Sequence, residues 1–404
     1  MVWRETDIMD ERLRFIVDCL SGEETMTAVC ERYGISRKIG YKWLGRYREF
    51  GPEGLHDLPR APLNHGRATA ADLVERIVAL KEAHPAWGPK KIIGRLKREA
   101  PSHPWPAIST AGEILKRHGL VGRRRGRWRA VGNGPWPDAQ RPNAVWTGDH
   151  KGWFRTRDGW RCEPLTVLDA WSRYLLALEA TGSTADEEAW PVFERLFEEH
   201  GLPDRFRSDN GSPFASAGVT GLTPLAVRFI KLGIALERIA PGKPQQNGCH
   251  ERFHLTMLPL AKAPEIDRQA QSQAFDAFRR EYNEERPHEA LGMDTPAEYY
   301  RGSERQMPAN VPEPDYPAEA AVRRVRNNGA IKWQGGEIYV SASLAGEPVA
   351  VEETETGEWA LRFYAHPLGH IDLKRMRLVR RSALQPRPAG AAADTTAQEK
   401  GGKL

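Results

Sequence analysis

Cysteine is scarce in this chain. There are four in 404 residues, Cys19, Cys30, Cys162 and Cys249, with no C-x-x-C pair among them. That excludes a disulfide framework and points to a reducing compartment. Structural zinc is not expected either, because Cys19 and Cys30 precede His56 and His65 at spacings that suit no common site. Long apolar runs are also missing: nothing approaches the ~18 consecutive residues of a membrane span. The first residues include Arg4, Glu5, Asp7 and Asp10 where a secretion signal needs an apolar stretch. A cytoplasmic protein is the expectation.

Net charge is small, +5 with a pI near 9.0, but it is unevenly spread. Residues 1–148 carry +9, residues 149–319 carry −8 and residues 320–404 carry +4. An acidic centre concentrates divalent cations and basic flanks hold a polyanion, the division of labour of a DNA-acting metal enzyme. Ordinary surface variation between domains is the competing reading. The length suits about two to four domains, each able to bury its own core.

What is there, against this background, is a set of three acids in distinctive stretches. Asp149 lies in Trp-Thr-Gly-Asp-His-Lys-Gly, Asp209 in Arg-Ser-Asp-Asn-Gly-Ser-Pro-Phe, and Glu251 in Pro-Gly-Lys-Pro-Gln-Gln-Asn-Gly-Cys-His-Glu-Arg-Phe-His. A phosphodiester repels nucleophiles, and two Mg²⁺ ions roughly 3.5–4 Å apart neutralise it, activate the attacking oxygen and hold the leaving one. Mg²⁺ keeps several waters, so three carboxylates from separate segments suffice. Asp149 falls in a short extended run, Val145 to Lys151. Asp209 follows Arg205-Phe206-Arg207 and precedes the turn signal Asn210-Gly211. Both acids are therefore expected at strand ends. Glu251 opens a segment with Phe253 and Met257 four apart, as on one helix face. Taken singly, each acid also reads as one of 54 ordinary surface carboxylates.

These stretches resemble the catalytic core of DDE-type insertion-sequence transposases and retroviral integrases, especially the bacterial branch. Glu281-Tyr-Asn-Glu-Glu-Arg-Pro-His-Glu-Ala-Leu-Gly292 and Thr295-Pro-Ala-Glu-Tyr-Tyr300 are further hallmarks of the resemblance. It covers residues 145–300 and implies an RNase H-like fold, Asp149, Asp209 and Glu251 as catalytic metal ligands, and Mg²⁺ as two ions, with Mn²⁺ able to substitute. It also implies double-stranded DNA as partner, both element ends and target, a homo-oligomer on that DNA, and a bacterial, DNA-associated setting. The chain departs from similar transposases at Cys249, Leu255 and Leu258, where they carry basic residues, and at His150, where they carry an aromatic. Lys243 and Arg252 are then the phosphate-gripping residues around Glu251. His150, His250 and His254 read as packing or phosphate-contacting groups, since a hard Mg²⁺ site has no use for imidazole. The competing classes are a DNA-binding protein without catalysis and a nuclease of the same fold.

The remaining segments read as a multidomain chain. Residues 1–58 form a helix-turn-helix domain. Asp7 caps a helix with Leu13, Ile16, Val17 and Leu20 inward, and Met26 to Tyr33 is a short helix. Gly34-Ile35 turns, and Ser36 caps a helix to about Phe50. Ala28, Gly34 and Ile35 take turn and packing positions, and Trp43, Leu44 and Tyr47 point partly inward. Arg37, Lys38, Tyr41 and Lys42 are the exposed DNA contacts. After the prolines Pro52, Pro59 and Pro62, residues 66–121 form a second helical DNA-binding module. A Thr69-x-x-Asp72 start leads a helix with Leu73, Ile77 and Leu80 inward. A helix from Pro89 follows, with Ile92, Ile93 and Leu96 inside and Lys90, Lys91, Arg95, Lys97 and Arg98 largely outside. A third helix, capped by Ser109, ends near His118. Residues 122–142 are a basic linker in which Arg123, Arg124, Arg125, Arg127 and Arg129 act as a DNA arm, a solvated linker being the alternative.

The catalytic core spans residues 143–305, a mixed five-stranded sheet flanked by helices. Arg161 to Ala170 and Tyr174 to Glu179 are strands, with Cys162, Leu165, Val167 and Leu168 in the core. Thr184 and Glu187 start a helix to His200, Leu222 to Leu232 a second, and Ile234 to Ile239 is a strand. Residues 320–380 carry five strand signals, Val322–Arg326, Ile331–Trp333, Glu337–Val340, Pro348–Val351 and Trp359–Tyr364, and are expected to form a small SH3-like barrel for DNA or subunit contact. Residues 385–404 read as a disordered tail.

Overall fold

The computed structural model describes residues 7–58, 68–122, 139–239 and 248–380, apart from the Cys249 side chain. Arg123, Arg124, Arg125, Arg127, Arg129, Lys243, Pro59, Pro62 and the tail at 385–404 lie outside the described residues. The chain divides into two compact units, Met1–Ala70 and Ala71–Leu404.

The first unit is three helices, α1 (Ile8–Ser21), α2 (Met26–Arg32) and α3 (Arg37–Phe50). Thr25 and Ser36 cap α2 and α3 by accepting from Ala28 and Ile39 amides, and Gly34 takes the left-handed turn at φ 63°. Gly40 lets the helices close on each other, for a Cβ there would meet the Cys30 sulfur at 2.5 Å. Trp43 and Leu44 are buried and Tyr47 packs beside them, as expected. Four readings need correction. Asp7 stands at the cap of α1 without a side-chain cap bond. Helix α1 buries Phe15 and Ile16, while Leu13, Val17 and Leu20 are exposed, because the covered stripe is rotated toward Phe15 and Cys19. Ala28 is exposed, and Val29 and Cys30 do the packing of α2. Pro52 belongs to a 3₁₀ turn, Gly51–Leu55, whose Leu55 is buried, so it is not linker.

The second unit begins with α4 (Ala71–Ala83), α5 (Pro89–Glu99) and α6 (Ile108–Arg117). Leu73, Ile77, Ile92, Ile93, Leu96, Ile114 and Leu115 form their common core around Trp87 and Trp105. Pro89 opens α5 at its favoured first position. Ala107, not Ser109, occupies the cap position of α6.

The central sheet comprises β1 (Val145–His150), β2 (Phe154–Arg155), β3 (Arg161–Asp169), β4 (Leu175–Thr181), β5 (Arg205–Ser208) and β6 (Ala235–Arg238). The long strands run in the order β4-β3-β1-β5-β6, and the two-residue β2 pairs with β3, making six strands instead of five. Strands β1 and β3 are antiparallel, whereas β1–β5 and β5–β6 are parallel. Helices α7 (Asp186–His200) and α8 (Pro224–Lys231) cover one layer, with Phe193, Phe197, Phe206 and Phe229 interlocked edge to face. The cap of α7 is Ala185, without a side-chain bond, so Thr184 does not start it. Helices α9 (Gly248–Lys262) and α10 (Arg268–Arg280) pack Phe253, Met257 and Phe275 against Cys162, Leu168 and Leu178 of β3 and β4. A π turn, Glu281–Glu285, and α11 (Pro296–Tyr299) complete this part.

The C-terminal segment has seven strands, two more than its sequence suggests: β7 (Ala321–Arg324), β8 (Ala330–Trp333), β9 (Gly336–Tyr339), β10 (Pro348–Glu353), β11 (Trp359–Phe363), β12 (His366–Asp372) and β13 (Arg377–Val379). They form a five-stranded sheet, β13-β12-β11-β10-β7, and a separate β8-β9 hairpin. The expected SH3-like barrel is, in the strand pairing, an open antiparallel sheet plus a hairpin. Its apolar face packs on Leu222, Ala226, Val227 and Ile230 around α8, which joins this segment to the core.

Candidate active site

Strand pairing brings the first two acids together. Gly148 of β1 lies opposite Ser208 of β5 in a parallel register, so the next residues, Asp149 and Asp209, emerge on neighbouring strands about 5 Å apart. Glycine at 148 is required there: a Cβ would lie 2.3 Å from the Phe206 ring. Asp209 is held by its own turn, its Oδ1 accepting the Gly211 amide at 2.9 Å. Glu251 sits in the first turn of α9, exposed, where the helix crosses β1.

Asp149 feels the other two acids. The Asp149 carboxyl is pushed up to about 7, first by burial, next by the Asp209 charge and, more weakly, by Glu251, with the His150 amide and Lys151 pulling the other way. Among the described residues no group of three metal-binding side chains is gathered tightly enough to hold an ion as it stands.

Helix α9 is fastened beneath the site by polar groups. Thr166 of β3 donates its hydroxyl to the Asp149 carbonyl at 2.8 Å. Its oxygen therefore accepts from the imidazoles it touches, His250 Nε2 and His254 Nε2, the latter at 3.1 Å. That leaves His250 Nδ1 to accept from the Thr147 hydroxyl at 2.9 Å. Both imidazoles are neutral: burial, then His254, holds His250 well below its ordinary value, and burial, then Lys151 and His150, pushes His254 down to about 3. His254 Nδ1 faces Asp149 Oδ2 at 3.8 Å. The histidines are thus packing groups that tie the helix of Glu251 to the strand of Asp149. Thr147 and Thr166 carry no signal in the sequence, where threonine reads only as a strand former.

Of the other expected site residues, Arg37, Lys38, Tyr41 and Lys42 are all exposed on α3. Arg252 is exposed next to Glu251, and Leu255 beyond it is 57% exposed. Lys91 does not lie outside as expected. It is half-buried and donates to the Pro287 carbonyl. Lys90 pairs with Glu289 at 2.8 Å, Arg98 with Glu298, and the buried Trp87 donates to Glu281 at 2.8 Å. The 281–300 stretch is therefore the seat of the α4–α6 module.

Comparison with known proteins agrees with this layout. Residues 139–244 and 232–296 match two integrase core domain families, residues 11–62 a helix-turn-helix domain and residues 39–115 a homeodomain-like domain. These segments are thus similar to helix-turn-helix and integrase core domains. Residues 320–378 match the C-terminal domain of IS481 family transposases.

The chain is 26% identical over 297 residues to the 31.7 kDa protein of insertion element IS407 from Burkholderia multivorans, covering 68% of this chain and 94% of that one. It is 26% identical over 249 residues to the 39.2 kDa protein of insertion element IS476 from Xanthomonas euvesicatoria, covering 59% and 67%. It is also 27% identical over 277 residues, 66% of this chain, to protein K02A2.6 of Caenorhabditis elegans, of whose length it spans only 20%. Among solved structures it is similar to a simian T-cell lymphotropic virus intasome chain (TM-score 0.35, 14% identity, 74% of this chain and 99% of that one). It is also similar to the HTLV-2 integrase catalytic core (TM-score 0.32, 15% identity, 40% and 99%). Among the described residues no helix is long and apolar enough to cross a membrane.

Proposed function

We propose that the protein is a DNA transposase that cleaves at the ends of an insertion sequence and joins the freed 3′-hydroxyl to target DNA. One observation carries this: Asp149 and Asp209 stand at adjoining strand ends, with Glu251 in the first turn of a helix packed against β1, and burial and then repulsion by the Asp209 charge hold the Asp149 carboxyl near 7. The repulsion is what a divalent cation relieves, and the donor set is all hard oxygen, so the residues suit Mg²⁺ or Mn²⁺. Asp149, Asp209 and Glu251 would hold the ions, two in number, which would supply charge neutralisation and orientation of the attacking and leaving oxygens.

The chain's own groups do the rest. Thr166, His250 and His254 hold the strand of the first acid and the helix of the third in fixed relation. Arg252, exposed beside Glu251, and Lys243 meet phosphates. Water attack at the element end frees the 3′-hydroxyl, which then attacks a target phosphodiester without a covalent protein intermediate. Arg37, Lys38, Tyr41 and Lys42 on α3 read the terminal sequence in the major groove, the arginines at 123–129 follow the backbone between domains, and copies of the chain assemble on paired ends. The domain limits 1–58, 66–121, 143–305 and 320–380 belong to this proposal. The test is incubation of the full chain with element ends, target plasmid and Mg²⁺, followed by sequencing of joints. Joining by the parent and none by Asp209→Ala, with end binding retained, is expected. Cleavage without joining selects the nuclease, binding alone selects the non-catalytic relative, and normal joining by Asp209→Ala removes the carboxylate assignment.

A further inference from the structure

Two arginines meet where the core sheet adjoins the C-terminal strands. Arg238 ends β6 and stands opposite Ser208 of β5, one strand away from the end that delivers Asp209. Its guanidinium donates to the Gly221 carbonyl at 2.5 Å. Arg380, exposed just past β13, comes to the same place. The point where a Cβ on Gly221 would lie is 2.4 Å from Nη1 of Arg238 and 3.2 Å from Nη1 of Arg380. Gly221 makes this possible twice over, by its left-handed φ of 67° and by the side chain it lacks.

The charges here are unbalanced. Burial and then Arg380 hold the Arg238 guanidinium below its ordinary value, and among the described residues no carboxylate pairs with either arginine. His366, which opens β12 beside them, is pushed down to about 4 by burial and then by the two arginines. Two other arginines of this unit have acids: Arg207 has Glu237 at 2.7 Å and Arg362 has Glu352 at 2.6 Å. Two converging guanidiniums without an acid are favourable only when an anion joins them, and planar forked donors suit a phosphate.

We infer that Arg238 and Arg380 form a phosphate-binding subsite that takes a backbone phosphodiester of DNA adjacent to the one at the carboxylates. The identity of that ligand as DNA rests on the function proposed above. The subsite would make the C-terminal strands part of the substrate channel, because one arginine comes from each side of the junction.

The test uses the full chain, its Arg238→Gln/Arg380→Gln double variant and the corresponding double lysine variant, without metal. The probe is a random-sequence 20-base-pair duplex, with binding measured across a salt series. Losing one phosphate contact makes the slope of log affinity against log salt shallower by about 0.9. The glutamine variant is expected to show that loss and the lysine variant to retain most of the slope. In phosphate-free buffer the glutamine variant should melt at or above the parent, since a repulsion has gone. Added inorganic phosphate should raise the parent's midpoint more than the variant's. An unchanged slope, an equal phosphate response, or a glutamine variant that melts well below the parent would each overturn the subsite. A shallower slope in a protein that joins no DNA with Mg²⁺ would leave the subsite standing and refute the transposase reading instead.

Discussion

Replacing Asp149 by Asn should stabilise the metal-free protein, and the size of the effect should depend on pH. The carboxyl titrates near 3.8 in an unfolded chain and about 7 in the fold. Folding therefore favours the protonated acid, and the contribution of Asp149 to stability falls as pH rises between those two values. At pH 8 the group is ionised in both states, and the full difference, at about 1.36 kcal/mol per pH unit, costs the fold about 4 kcal/mol as an upper bound. At pH 4.5 the cost is only about 1 kcal/mol, because the folded acid keeps its proton and the pH lies less than one unit above the unfolded value, so that protonating the acid on folding costs little. Asn has the same shape and no charge. Asp149→Asn in chelator should therefore melt several degrees above the parent at pH 8 and close to it at pH 4.5. Mg²⁺ should raise the parent's midpoint and leave the variant's nearly unmoved. Calorimetric midpoints at the two pH values, with and without Mg²⁺, decide the matter. A variant equal to or less stable than the parent at pH 8 would refute the claim that burial and the Asp209 charge disfavour an ionised Asp149.

Two further perturbations probe the scaffold. Gly148→Ala sets a methyl 2.3 Å from the Phe206 ring and should cost about 1–3 kcal/mol by overpacking while displacing the end of β1. A melting point unchanged by this variant would show that Phe206 can move aside. Glu281→Ala leaves the indole N–H of Trp87, 1% exposed, without its acceptor, at a cost of about 1–3 kcal/mol. It should loosen the α4–α6 module, read as faster limited proteolysis within residues 71–121. Equal cleavage rates in variant and parent would mean that the remaining ion pairs hold the module alone.

The sequence by itself determined the local pieces. Gly34 and Ser36 set the turn between α2 and α3, since each acts on backbone groups within three residues of itself. The extended runs before Asp149 and Asp209, and the spacing of Phe253 and Met257, place the first two acids at strand ends and the third on a helix. The order of the motifs around them, through resemblance, named the core. Tertiary structure decided which faces were covered. Periodicity shows that α1 has apolar residues on one side, but the turn of the helix onto Phe15 and Cys19, leaving Leu13 and Val17 in solvent, is set by α2 and α3. The strand His366–Asp372, interrupted by proline, glycine and charge, owes its pairing to β11, and Arg377–Val379 owes its own to β12. The partners of His250 lie 103 and 84 residues away in Thr147 and Thr166, and the acid that receives Trp87 lies 194 residues away. Hydrogen bonds over such distances leave no periodic trace, because the chain between them sets where the partners meet and the residues themselves do not. For the same reason a solvent-facing lysine and a half-buried one, Lys90 and Lys91, look alike until the 281–300 stretch is folded against them.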